Sequence, residues 1–423
     1  MTQNFKDMLH LFSCGALGLA PDFDHAIDLP GIYKLSSQQG IWCTVFLAIQ
    51  KLYERENLTA DDQYQFCRNL FFKQIAKTTK RREFMKQVIR EFSDHQIQYC
   101  ILKGETLAAL YYSPICRIST DTDIFVKQED SARADGLLKH IGFQKEVSAD
   151  TSHHEVYTHP VGGIVELHQE LFDEVHTDLW FNEKVTLTEQ FQTVQIEQEF
   201  TIPALGMTDG LIFTALHAIQ HFLFAGTGIK QVMDMLLYLR CYKDRIDLDR
   251  FQELMSYLKY ERFIDYCIEI GTRYLGFSEH DFVRLTEEKT EESVLNEMLT
   301  DIENGGMFGQ LEIERTGFSR VYNKERFSRF KNENYSKYMA QHHNVSFFKE
   351  FFPDKAVLYR DFPYSRKHPV LLPAAWFHRL GRFLISMRQK KRNVRQYMPF
   401  MDAEKGNEVT QRRMNLIRKL DMI

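Results

Sequence analysis

The sequence predicts an α+β fold in which a small mixed-sheet core is embedded in a largely α-helical chain, and three observations support it. Apolar residues recur at helical spacing through most of the 423 residues. Between Gln98 and Glu170 the period shifts to two, in short apolar runs closed by glycine and proline. Inside that stretch, Thr120-Asp121-Thr122-Asp123-Ile124-Phe125-Val126 runs two spaced carboxylates straight into a β-type segment. Four regions follow from the pattern: helical 1–95, an α/β core over 96–200, a helical domain over 201–304, and an arm with a basic amphipathic segment over 305–423.

In the first region Trp42, Val45, Phe46, Ile49 and Leu52 fall at spacings of three and four, and Phe84, Val88, Ile89 and Phe92 repeat the pattern in a helix leading to the core. These are packing positions. The basic cluster Lys77 to Arg82 reads as a solvated helix face, with phosphate contact as the sharper alternative.

The core opens with Gln98 to Leu102, an apolar run that reads as a buried strand. Lys103-Gly104 closes it, and Glu105 to Tyr112 reads as a helix ended by Ser113-Pro114. A strand, a glycine turn and a helix put backbone N–H groups and a lysine where phosphate oxygens sit. Glu129 to His140 reads as a helix ending at Gly142, and His154 to Thr158 and Ile164 to His168 as two strands joined through His159 to Gly163.

Side chains alternate along a strand, so Asp121 and Asp123 converge on one face, and Glu166, His168 and Glu170 share another while the extended pattern lasts. Two like charges so close repel, and a divalent cation between them, Mg²⁺ or Mn²⁺, relieves that. The plain alternative is a solvated strand start. A third carboxylate, Glu166, suits a two-metal site, because a pair alone cannot fill two coordination spheres. Lys103 and Arg117 are the cations placed for a triphosphate, with a structural ion pair as the other reading of Arg117. His153, His154 and His168 are candidates to orient an acceptor or act as a base, or are ordinary hydrogen-bonded histidines.

Leu102-Lys103-Gly104, Leu107 to Tyr111, Arg117, Thr120 to Ile124 and Val165-Glu166-Leu167-His168 together resemble a bacterial family of uncharacterised nucleotidyltransferases in the polymerase-beta-like superfamily. Later blocks continue the likeness: Leu216-His217 with His221, Lys230 with Asp234, Gly305 to Gly309, and Tyr364 to Trp376. The resemblance implies a nucleotidyl-transfer fold, two-metal chemistry through Asp121, Asp123 and Glu166, an NTP bound near Lys103, Gly104 and Arg117, and no agreed substrate. Two positions depart from the superfamily pattern. Glu105 stands where a serine usually follows the glycine, and Glu166 stands where an aspartate is typical.

In the helical domain, Leu211 to Phe224 and Gln231 to Arg240 read as helices separated by Gly226-Thr227-Gly228. His217 and His221, four apart, share a helix face as zinc ligands would, but no glutamate lies between them in the sense required and no third ligand follows. They read as a polar patch facing the active site or Asp234. Further on, the stretch 305–345 reads as a polar, aromatic arm. From Arg360 to Arg395 ten Lys or Arg face the single acid Asp361. Phe377, Leu380, Phe383, Leu384 and Met387 fall on one helical face within it. Such a segment docks on the protein's own acidic remainder, on a partner, or on an anionic membrane surface.

Composition narrows the classes. At 44% hydrophobic and 26% charged the chain is an ordinary globular protein, and its net charge of −5 gives no specific nucleic-acid signal. Seven cysteines without C-x-x-C spacing indicate neither a disulfide framework nor a zinc ribbon and fit a reducing cytoplasm. The N-terminal stretch is not a secretory signal, and no apolar run is long enough to span a bilayer. The expected activity is transfer of an NMP from an NTP to an acceptor hydroxyl with release of pyrophosphate. A non-catalytic nucleotide- or partner-binding relative, and a phosphoryl- or glycosyl-transferase on the same Asp-x-Asp site, are the alternatives.

Overall fold

The computed structural model describes residues 1–146, 154–171, 188–197, 200–224, 226–307, 358, 362, 364–365, 368–389 and 408–423. The chain divides into two compact units: 1–146, 151–312 and 416–422 form the first, and 147–150, 313–415 and 423 the second. In the second, Leu358, Phe362 and Ala375 make a small apolar core with Tyr364, Leu372 and Trp376 packed on it. A helix over Leu372–Gln389 covers the basic amphipathic stretch. Phe377 on it is exposed, while the side chains of Leu380, Phe383, Leu384 and Met387 lie outside those described, as does the expected arm beyond Met307.

The first unit begins with four helices, α1 (Gln3–Leu17), α2 (Leu29–Gln38), α3 (Trp42–Arg55) and α4 (Asp62–Asp94). Trp42, Val45, Phe46, Ile49 and Leu52 are all buried, as their spacing predicts. On α4, Val88, Ile89 and Phe92 are buried and Phe84 packs against the same core.

Seven strands follow: β1 (Tyr99–Ile101), β2 (Asp121–Val126), β3 (Gln144–Lys145), β4 (His154–His159), β5 (Gly163–His168), β6 (Gln192–Glu197) and β7 (Phe200–Ala204). They form one mixed sheet in the order β3-β4-β5-β2-β1-β7-β6. β1 runs antiparallel to β2 and parallel to β7. β2 runs parallel to β5, after a connection through helix α6 (Ser131–Ile141), β3 and β4. The sheet has two unlike faces. Tyr99, Ile101, Ile124, Val126, Tyr157, Val165 and Leu167 join α4 and α6 in a buried core. Period-two alternation then sends Asp121, Asp123, Ile164, Glu166 and His168 to the opposite face. Strand β5 ends at His168, and Glu170 beyond it is exposed.

Two expectations need correcting. The helix expected over Glu105 to Tyr112 is a single turn, α5 (Glu105–Ala108), because the chain leaves the helical path to meet α1, where the Tyr112 N–H donates to the Ala16 carbonyl at 2.8 Å. The cluster Lys77 to Arg82 is not uniformly a solvated face: Lys77 and Lys80 are exposed, but Arg81 and Arg82 are buried. Their partner explains it. Glu105, itself buried, pairs with Arg82 (Nη2 to Oε2, 2.7 Å) and lies 3.7 Å from Arg81 Nη2. Arg81 also donates to the Asp121 carbonyl at 3.2 Å, so this cluster ties α4 to the start of β2.

Removing Glu105 leaves two buried guanidinium groups without their carboxylate. Glu105→Ala and Glu105→Ser are each expected to lower stability by about 3–5 kcal/mol, read as a fall in the urea midpoint. An unchanged midpoint for either variant means that Glu105 does not hold α4 in place.

Candidate functional site

The parallel register of β2 and β5 sets Asp123 opposite Glu166, Asp121 opposite Ile164 and Phe125 opposite His168. Asp123 is 1% exposed. Its Oδ1 lies 3.2 Å from Lys103 Nζ and 3.1 Å from His168 Nε2, and His168 Nε2 lies 3.7 Å from Glu166 Oε2. Its Oδ2 is buried and has no hydrogen-bond partner among the described residues. Asp123, Glu166 and His168 each offer one ligand atom, and the three atoms lie within 4.8 Å of one another. Two carboxylates, an imidazole and a buried carboxylate oxygen left over fit a bound divalent cation. Asp121 stands outside this trio, and its Oδ1 accepts from Ser119 Oγ at 3.0 Å.

The charges on this face are balanced closely. Burial pushes the Asp123 carboxyl up, but the Lys103 ammonium, helped by the hydrogen bond from His168, outweighs it and holds the group well below the usual carboxylate range. Burial pulls Lys103 down, and Asp123, Asp121 and Glu166 together more than offset that. Lys103 stays an ammonium and Asp123 a carboxylate.

Two further helices pack near this face, α7 (Met207–Phe224) and α8 (Ile229–Tyr242). His217 of α7 reaches Lys103, with 3.1 Å between Nε2 and Nζ, and lies 3.1 Å from His221 Nε2. Burial lowers both histidines, Lys103 adds to it, and His221 falls to about 3. Both are neutral at physiological pH. The polar patch therefore faces Lys103 rather than Asp234, and among the described residues the trio able to hold a metal does not include it.

Asp234 of α8 is engaged by Arg117. The pair is buried and bidentate, with Nε to Oδ1 at 2.7 Å and Nη2 to Oδ2 at 2.6 Å. Arg117 Nη1 also donates to the Gly104 carbonyl at 3.1 Å, and Tyr111 Oη donates to Asp234 Oδ1 at 2.8 Å. Of the two readings left open for Arg117, the structure places it in the ion pair. Gly104 sits at φ +79°, a conformation glycine adopts without strain, which lets the Lys103 turn come to that guanidinium. Nearby, Lys230 Nζ donates to the Ile118 carbonyl at 3.3 Å. Burial pushes its pKa down to about 8, Arg117 adds to the fall, and Asp234 and Asp121 oppose it.

Of the remaining candidates, His154 pairs with His168 across β4 and β5. The side chain of His154, and all of His153, lie outside the described residues. Arg81, Ser119 and the pairing of Glu105 were not anticipated. The pairing of Glu105 has no local signal because Arg81 and Arg82 sit on another element, whereas Ser119 meets Asp121 only two residues on.

A family model described as an uncharacterised nucleotidyltransferase matches residues 25–276 of the chain. No curated protein matches it.

Breaking the Arg117–Asp234 pair is expected to be costly. Arg117→Ala leaves Asp234 buried without its bidentate cation and should lower stability by about 3–5 kcal/mol, whereas a urea midpoint within error of wild type would refute that role. Lys230 should behave oppositely. A lysine at its ordinary value near 10.4 in the unfolded chain binds more protons than the folded one between about pH 8 and 10.4. Lys230 therefore costs stability below pH 8, and the cost is relieved as pH rises through that window. Lys230→Met should raise stability at pH 7 by on the order of 1–3 kcal/mol and flatten the dependence above pH 8. A destabilised Lys230→Met protein at pH 7 would contradict this.

Proposed function

The chain belongs to the uncharacterised nucleotidyltransferase family, and on that premise we propose that it moves an NMP from an NTP to the hydroxyl of an acceptor, releasing pyrophosphate, in a reaction that requires Mg²⁺ or Mn²⁺. One observation supports this above the others: a buried aspartate and a glutamate on adjacent parallel strands, with a carboxylate oxygen that has no hydrogen-bond partner among the described residues. Asp123 and Glu166, with Asp121 at the mouth and His168 beside them, would hold the cation. Bound there, a divalent ion neutralises charge growing on the phosphates and lowers the pKa of the acceptor hydroxyl.

The protein's own groups do the rest. Lys103, kept protonated between three acids, supplies an ammonium beside Asp123 to phosphate oxygens. The bidentate Arg117–Asp234 pair holds the Gly104 carbonyl, so the turn bearing Lys103 is fixed before substrate arrives. Arg117 thereby acts through position, in contrast to the direct phosphate contact expected for it. His217, neutral and stacked on Phe213, gives Lys103 Nζ a hydrogen-bond acceptor and so orients its remaining protons. Glu105 spends its charge on Arg82 and Arg81, so it does not set a free carboxylate against a nearby phosphate.

The test uses purified protein with Mg²⁺ or Mn²⁺, each NTP labelled at the α- or the γ-phosphate, and lysate as the acceptor pool. Label should move from the α position, and Asp123→Ala and Asp121→Ala should each reduce transfer by at least about a hundredfold, with circular dichroism confirming the fold. Transfer from the γ position makes the protein a phosphoryl transferase. Metal-dependent NTP binding with no transfer makes it a binding relative, and undiminished transfer by Asp123→Ala removes the proposed site.

A further inference from the structure

Beside the acidic face lies an open groove of about 1250 Å³. That exceeds the roughly 300–1,000 Å³ typical of a small-molecule site. Its lining includes Lys73, Lys77, Lys80 and Arg81 from α4, and no aspartate or glutamate among the described residues. Lys73, Lys77 and Lys80 are exposed, and none makes an ion pair among the described residues. At 1.5 Å per residue, the stretch from Lys73 to Arg81 is about 12 Å long, which matches a short run of successive backbone phosphates. Self-repulsion along such a row is relieved by an anion, and nothing described in the protein supplies one.

A second observation points to a ligand independently. Trp42 also lines the groove and is 8% exposed, yet its indole Nε1–H is buried without a hydrogen-bond partner among the described residues. Tyr33 packs edge-on to that ring with centroids 4.6 Å apart and lines the same groove. Of the two rings only Tyr33 is partly exposed, and a row of cations beside such a ring is how a single strand is gripped, its backbone by charge and a base by stacking.

The groove leads to the chemistry. Ser119, Thr120, Gly163 and Ile164 are part of its lining, and Ile164 is the register partner of Asp121, two residues before Glu166 on the same sheet face. Gly163, at φ +76°, has no side chain where a Cβ would lie 3.2 Å from Arg81 Cδ, which keeps this part open against α4. From these juxtapositions we infer that the groove receives a single-stranded nucleic acid, its phosphodiester backbone along Lys73, Lys77 and Lys80 and its terminal hydroxyl directed to Asp123 and Glu166. The inference rests on the nucleotidyl-transfer reading for the fate of that hydroxyl, though not for the binding.

The experiment measures fluorescence anisotropy of a labelled six-nucleotide oligoribonucleotide with the full chain and no NTP, across a salt series. Wild type should bind with a steep salt dependence. The combined Lys73→Gln, Lys77→Gln, Lys80→Gln protein, altered only at exposed positions, should bind at least tenfold more weakly, with a log–log salt slope shallower by about 2, from roughly 0.7 per lost phosphate contact. Equal binding by the two proteins, or no binding by wild type, overturns the inference. Tripolyphosphate that competes as well as the oligonucleotide, phosphate for phosphate, also overturns it and assigns the groove to free polyphosphate. Because no NTP is present, the two readings fail separately. Salt-dependent binding without any α-phosphate transfer sinks the activity and leaves the groove, whereas transfer without oligonucleotide binding sinks the groove alone.

Discussion

Everything on the working face follows from one constraint: β2 and β5 run parallel, and their register forces Asp123 against Glu166. Neither carboxylate can turn away, because period-two alternation sends Val165 and Leu167, like Ile124 and Val126, into the core on the other side. A one-residue slip would bury the acids and expose that core. The repulsion between the two acids is therefore built in, and the surroundings are arranged to offset it. Lys103 and His168 both reach Asp123 Oδ1, while Oδ2 has no hydrogen-bond partner among the described residues.

Two buried ion clusters then hold the parts that must not move. Arg117 joins the Gly104 turn to α8 through Asp234, and Glu105 joins the next residue of the same turn to α4 through Arg82 and Arg81. Buried ion pairs contribute little net stability compared with apolar packing of the same volume, because desolvating both charges offsets most of their attraction. Their value here is directional. A lysine on a one-residue glycine turn would otherwise be mobile, and anchoring the turn from two sides fixes Lys103 over Asp123. Glu105 thus serves as an anchor of this turn to α4.

The parts of this arrangement that depend on local spacing were legible in the sequence. The helical spacing of Trp42 to Leu52 and of Val88 to Phe92, the alternation through β2 and β5, and the C-cap at Gly142 all read directly, since each is set within one element. What was not legible is whatever depends on pairing between distant segments. The parallel register of β2 and β5, the engagement of Arg117 by a residue 117 positions away, and the burial of Arg81 and Arg82 by Glu105 are all of that kind. The shortened helix after Gly104 belongs with them, since its end is decided by a hydrogen bond to α1.

Charge shows the same division between local pattern and tertiary pairing. In the sequence, Lys103 and Arg117 are the cations nearest the acidic pair, and Lys77 to Arg82 looks like a solvated face. In the fold, Lys103 and Arg117 are both bound to carboxylates, while Lys73, Lys77 and Lys80 line a groove that holds no described acid. A net charge of −5 over the whole chain does not weigh against an anionic ligand there. Charges in solution are screened beyond about 8–10 Å at physiological ionic strength, so a ligand in the groove responds to the lysines beside it and hardly at all to acids elsewhere on the surface. The same screening leaves the buried Asp123–Lys103 pair largely untouched. Salt should therefore act on this protein mainly through what it binds along α4, and much less through the geometry of its acidic site.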